Sequence, residues 1–299
     1  MGIRQELNDM QRTERRIRLA DGRRLGYAEY GDPEGKPVFY CHGFPASRLE
    51  AALLDAAARR TGVRVIAADR PGYGLSDFQP HRRIGDWPGD VVELADALGI
   101  NRFSIIGVSG GGPYALACAR KIPQRLAAAG VVCGLGPVTE PWATRDMQWN
   151  RRLILRVARL APWTLRLLYR VALGPVLHRR PAMLLSVMSH TPVLQDRMVL
   201  ERPDVRRTLL ASVLESVREG PAGILHELFL YTHDWDFRPE EITMVVDLWH
   251  GEADPVVPVS HAHALVERLP RIHPAILSGE GHFSLPINHM ERILSVLTG

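Results

Sequence analysis

Short apolar runs, each closed by glycine or proline and followed by a stretch of helical spacing, recur from residue 16 to about 136 and again after residue 240. The runs include "PVFYCHG", "VRVIAADRPG", "RFSIIGVS" and "LAAAGVVCGLG". Runs this short and this uniformly apolar suit strands buried on both faces, which is how parallel strands sit. Between them, "SRLEAALLDAAARRTG", "DWPGDVVELADALGI" and "GGPYALACARKIP" carry helical spacing and Gly or Pro stops. "RIRLADGRRLGYAEYG" predicts a hairpin turning at Asp21-Gly22. After residue 240, "TMVVDLWHGEAD" and "HPAILSGEG" read as strands, with helices over 259–269 and 287–297. Repeated strand–helix–strand units wind a mostly parallel sheet with helices on both faces. The expected fold class is therefore α/β, doubly wound.

Residues 137–240 break this rhythm. They read as helical, with Leu153, Val157 and Leu160 on one stripe and Arg152, Arg156 and Arg159 on another. Pro162, Pro175 and Pro181 divide the segment. The expected organisation is a core domain of residues 1–136 and 241–299, with 137–240 inserted as a helical cap. The net charge of +4 resides in that insertion, which holds 15 Lys and Arg against 11 Asp and Glu, whereas the rest holds 22 against 22. Between Met147 and Gln195 stand eight arginines and no acid. A solvated face whose arginine stems cover apolar surface, a membrane-surface contact and an anionic-substrate contact all fit this stretch. No nucleic-acid module accompanies it. The stripes, with Trp142, Trp149 and Trp163, are expected to pack onto the core or to line an acyl pocket.

"GVSGGG", Gly107 to Gly112, crowds glycines around Ser109 between a predicted strand and a predicted helix. Glycine in such numbers costs backbone entropy, so some geometric demand must require it. Gly107-Val108-Ser109-Gly110-Gly111 matches G-x-S-x-G. In a strand–turn–helix setting this is a nucleophile elbow: a sharp turn that projects the serine hydroxyl above the sheet. The Gly110 amide then opens a helix N-terminus toward the reacting oxygen. A phosphate-binding loop is the rival reading of such a cluster, and the flanking strand and helix favour the elbow.

With these residues in place, the sequence resembles the α/β-hydrolase family, in its serine-nucleophile branch with a helical cap. The resemblance covers nearly all of the chain outside the insertion. "HGFP", His42 to Pro45, looks like the family's oxyanion turn. It implies that the backbone N–H of Phe44 joins that of Gly110 in an oxyanion hole, with a cis peptide before Pro45. "DRPGYGLSD", Asp69 to Asp77, is similar to a structural family loop. The family's order of serine, acid and histidine implies a triad of Ser109, Asp254 in "WHGEADPVVP" and His282 in "SGEGHFSLP". Asp234, Asp236 and Asp247 are weaker acid candidates. Serine at 109, where the haloalkane dehalogenase and soluble epoxide hydrolase branches carry aspartate, argues against those branches and for attack on an acyl carbon. Val108 stands where many esterases carry histidine.

The implied activity is cofactor-independent hydrolysis of a small to medium carboxylic ester, with an apolar acyl part, through an acyl-enzyme. A lactone, an amide or peptide, a thioester or a carbon–carbon bond would suit the same machinery. A ligand-binding protein on a hydrolase scaffold is the rival from another class. No apolar run reaches the ~18 residues of a membrane span. The N-terminus is too polar for a signal peptide, and Glu6 spoils a myristoylation pattern, so a cytoplasmic protein is expected. Cys41, Cys118 and Cys133 fall in apolar runs and read as buried thiols. His261 and His263, two apart on a helix, make a poor metal pair, and no metal site is expected. Both a monomer and a homodimer remain open.

Overall fold

The computed structural model describes residues 12–140, 142–179 and 191–299. The predicted helix break at Pro181, the guanidinium of Arg180 and the N-terminal segment with Glu6 lie outside these residues. The apolar runs form strands: β1 (Arg15–Arg18), β2 (Arg24–Gly31), β3 (Lys36–Cys41), β4 (Val63–Ala68), β5 (Phe103–Val108), β6 (Leu126–Val132), β7 (Val246–Gly251) and β8 (Ile272–Leu277). They make one sheet in the order β1-β2-β4-β3-β5-β6-β7-β8. The predicted hairpin pairs β1 with β2, and β2 meets β4 in antiparallel fashion. From β4 to β8 every pairing is parallel.

Alternation along each strand feeds two cores. Phe39 and Cys41 of β3 face one side with Phe103 and Ile105 of β5. Val38 and Tyr40 face the other with Ile106 and Val108. Both faces are apolar because helices cover both. The helices of the sheet layers are α1 (Asp55–Arg60), α2 (Trp87–Ala97), α3 (Gly112–Lys121), α10 (Ser260–Arg268) and α11 (Ser284–Thr298). The predicted helix over 47–62 is split: Arg48–Leu54 wind as a 3₁₀ helix before α1 begins. Arg48 explains the difference. Its backbone N–H and its guanidinium both bond to Asp69, so the first turn is tied to the loop after β4. Cys41, Cys118 and Cys133 are buried free thiols, as expected.

Among the described residues between β6 and β7, the chain forms α4 (Trp149–Leu160), α5 (Pro162–Leu168), α6 (Gly174–Arg179), α7 (Leu194–Glu201), α8 (Pro203–Ser216) and α9 (Ala222–Tyr231). The packing expected of the apolar stripes fails for most of them. Trp149, Leu153, Leu160 and Trp163 point outward, and Ala158 is the buried residue of α4. Leu155 packs against the core, while α4 as a whole lies against α9. Trp142 follows the expectation, packing edge-on against the His261 ring. Among the described residues, no helix is long and apolar enough to cross a membrane.

Candidate active site

Parallel strands end on one edge of the sheet, and ligand sites of open α/β sheets lie beyond those carboxyl ends. Ser109 follows β5, Asp254 follows β7 and His282 follows β8. Ser109 adopts φ +54°, a left-handed conformation that a non-glycine residue holds only under constraint from its surroundings. Its neighbours supply that constraint. A Cβ on Gly111 would run into the carbonyl oxygen of Cys41, and one on Gly107 into the carbonyl oxygen of Gly111. Strand, turn and helix pass too closely there for any side chain, which answers why the glycines crowd around this serine.

The three chain-distant residues meet. His282 Nε2 lies 3.0 Å from Ser109 Oγ, and His282 Nδ1 lies 2.7 Å from Asp254 Oδ2. All three are buried. Asp254 Oδ1 accepts the backbone N–H groups of Val256 (2.7 Å) and Val257 (2.9 Å), which leaves Oδ2 for the ring. Burial by itself would raise the Asp254 carboxyl. The adjoining His282, with help from His250 and the Val257 amide, outweighs burial and holds it below the usual carboxylate range. An ionised Asp254 only accepts hydrogen bonds, so Nδ1 of His282 carries the proton and Nε2 faces the serine hydroxyl as an acceptor. The other acids lie elsewhere: Asp236 bonds to Gly85 N and Lys121, and Asp247 faces His273.

Phe44 and Gly110 also come together. A Cβ on Gly110 would lie 2.7 Å from the Phe44 Cβ and 2.6 Å from the Tyr231 hydroxyl oxygen. The Phe44–Pro45 peptide is cis. Cys133 Sγ stands close enough to Asp254 and His282 to make a ligand-like trio. The His282 ring nitrogens are already committed to Asp254 and Ser109, however, and burial pushes the Cys133 thiol well above its usual range, away from the thiolate a metal requires. His261 bonds to Gly136 N and the Ala143 carbonyl, and burial lowers it to about 4.

Several residues that brace this site were not singled out from sequence. Arg70 donates to the carbonyls of His42 and Gly43, which form the turn that carries Phe44. It pairs with Glu227 of α9 (Nε to Oε1, 2.6 Å), and both side chains are fully buried. Arg82 and the Tyr73 hydroxyl complete the shell around Glu227. Burial alone would raise the Glu227 carboxyl; Arg70 first, then Arg82, reverse this and hold it at about 2. The Tyr231 hydroxyl donates to the Gly110 carbonyl at 2.7 Å. Asp196 of α7 accepts the backbone N–H groups of His282, Phe283 and Ser284, gripping the loop that presents the histidine. A Cβ on Gly281 would strike the Asp196 carboxylate, which accounts for glycine before His282. A charged residue inside an apolar stretch, as in "GILHELFLY", was the available signal for Glu227. Its partners, far away in sequence, left none.

A sequence model described as the alpha/beta hydrolase fold matches residues 36–288. The chain belongs to this family. Among curated relatives of this alpha/beta hydrolase, it is 36% identical to the non-heme chloroperoxidase of Streptomyces lividans over 125 residues, 41% of this chain and 45% of that protein. It is also 36% identical to epoxide hydrolase B of Mycobacterium tuberculosis over 119 residues, 39% of this chain and 32% of that protein. The matches thus span less than half the length of either relative. Among solved structures, an esterase of Exiguobacterium antarcticum superposes with a TM-score of 0.69 at 18% identity, covering 96% of this alpha/beta hydrolase and 100% of that chain.

Proposed function

We propose that the protein is a serine hydrolase that cleaves a small to medium carboxylic ester through an acyl-enzyme. The reading is carried by the unbroken line of hydrogen bonds from Asp254 through His282 to Ser109. In this scheme Ser109 Oγ attacks the acyl carbon as its proton passes to His282 Nε2, and Asp254 stabilises the imidazolium. The N–H groups of Phe44 and Gly110 receive the oxyanion, each worth ~2.7–4 kcal/mol of transition-state stabilisation in comparable sites. The imidazolium then protonates the leaving alcohol. A water deprotonated by His282 attacks the acyl carbon, and Ser109 leaves with its proton restored. Serine, rather than a carboxylate, at the elbow favours attack on acyl carbon over epoxide opening.

Residues 137–240 act as a helical cap over this site. No cofactor enters the scheme, and the protein works in the cytoplasm on a small molecule with an apolar acyl part. A p-nitrophenyl ester series of increasing acyl length tests the substrate class beside a matched lactone, anilide and thioester. The expected outcome is turnover of esters with a clear optimum in acyl length. Turnover confined to the lactone, anilide or thioester would replace the ester reading while keeping the nucleophile.

A further inference from the structure

The outward faces of α4, α5 and the π-helical turn Tyr169–Leu173 that follows α5 combine two features that surface helices rarely share. Trp149, Leu160, Trp163 and Val171 are 76%, 74%, 65% and 69% exposed, and Leu153 and Leu167 lie open among them. Interleaved with these are the exposed guanidiniums of Arg156, Arg159, Arg166 and Arg170. Positions 163, 166, 167, 170 and 171 fall at helical spacing, so apolar and cationic groups share one outer stripe. No acid stands between Met147 and Gln195, and among the described residues none of these four arginines makes an ion pair. A water-facing helix would show mixed charges in place of exposed tryptophan and leucine.

We propose that this outer face docks on an anionic lipid bilayer. Tryptophan and leucine enter the boundary between headgroups and acyl chains, while arginine contacts the phosphates of anionic lipids. The charge selects this occupant over a second copy of the chain, because a two-fold contact would press like charges together. The inner sides of α4 and α5 pack on α9, whose Tyr231 bonds to Gly110. A docked bilayer would therefore lie about one helix layer, ~10 Å, from α9, with the elbow beneath that helix. The proposal does not depend on the ester reading.

Sedimentation of the full chain with phosphatidylglycerol–phosphatidylcholine vesicles and with pure phosphatidylcholine vesicles, over a range of NaCl, tests the surface. Binding is expected on the anionic vesicles only and should weaken as salt rises. Arg156→Gln, Arg159→Gln and Arg166→Gln should each weaken it roughly five-fold. Trp149→Ser with Trp163→Ser should weaken it at least ten-fold, with the melting temperature unchanged because both side chains are exposed. Absence of vesicle binding would overturn the proposal, as would binding indifferent to these substitutions. A dimer in solution that the tryptophan substitutions dissociate, without vesicle binding, would assign the face to a second copy instead.

Discussion

Asp254→Asn should lower kcat by about 10⁴-fold while leaving the fold intact, by analogy with the same change in a comparable triad. The mechanism is a change of tautomer. With its carbonyl in the place of Oδ1, asparagine turns its NH2 toward the ring and donates to Nδ1 of His282, so the ring proton moves to Nε2, which faces Ser109. A histidine protonated at Nε2 cannot take the serine proton. The imidazolium that forms in the wild type also loses its counter-charge. The fold should survive, because the carbonyl of the substituted side chain can still accept the Val256 and Val257 amides that now meet Oδ1. Steady-state kinetics on the best ester, with a thermal melt as a check, measures both halves. Near wild-type kcat in the variant would remove Asp254 from the role of orienting acid.

Glu227→Gln should lower the melting temperature by roughly 10 °C. Glu227 is buried with Arg70 and Arg82, and its removal leaves two buried cations without their carboxylate. Breaking a buried ion pair by removing one partner costs about 3–5 kcal/mol. For a chain of this size each kcal/mol moves the melting temperature by about 2–4 °C. The pH dependence follows from the sign of the shift. The Glu227 carboxyl is held at about 2, below its ordinary value, so its stabilisation is fully present above ordinary carboxylate pH and disappears as pH falls toward 2. The gap between wild type and variant should therefore be widest near neutrality and should close on acidification. Because Arg70 also holds the His42 and Gly43 carbonyls, kcat should fall more than KM rises. Equal melting temperatures at pH 7 would show that the ion pair is energetically replaceable.

The parts of this molecule legible from sequence were those encoded locally. Strands announced themselves by apolar runs with Gly or Pro stops, and the elbow by glycines whose missing side chains make room for neighbouring backbone. That His282 and Asp254 would meet Ser109 was legible because each follows a strand in the order the family resemblance implies. The bracing groups were hidden because their meaning depends on partners across the fold: Arg70 on Glu227, and Asp196 on the amides at the start of α11. The outward face of α4 shows another limit. Periodicity reveals that a helix has two faces, and Leu153 and Leu160 did share one. The face that turns inward carries Ala158 and Leu155 instead, which their spacing does not single out.

The inserted helices also brace the site. Asp196, Glu227 and Tyr231 all come from that segment, and they hold the His282 loop, the turn carrying Phe44, and the elbow itself. Removing the segment would therefore strip out part of the scaffold of the site.

The proposed chemistry stands or falls on Ser109 being an activated nucleophile. Labelling with a fluorophosphonate, followed by peptide mass mapping of wild type and Ser109→Ala, is the decisive test. Serine attack on phosphorus with loss of fluoride should leave a covalent adduct on the peptide containing Ser109, and the variant should carry none there. A folded wild-type protein that takes up no label, or a variant that takes up as much as the wild type, would refute that role for Ser109.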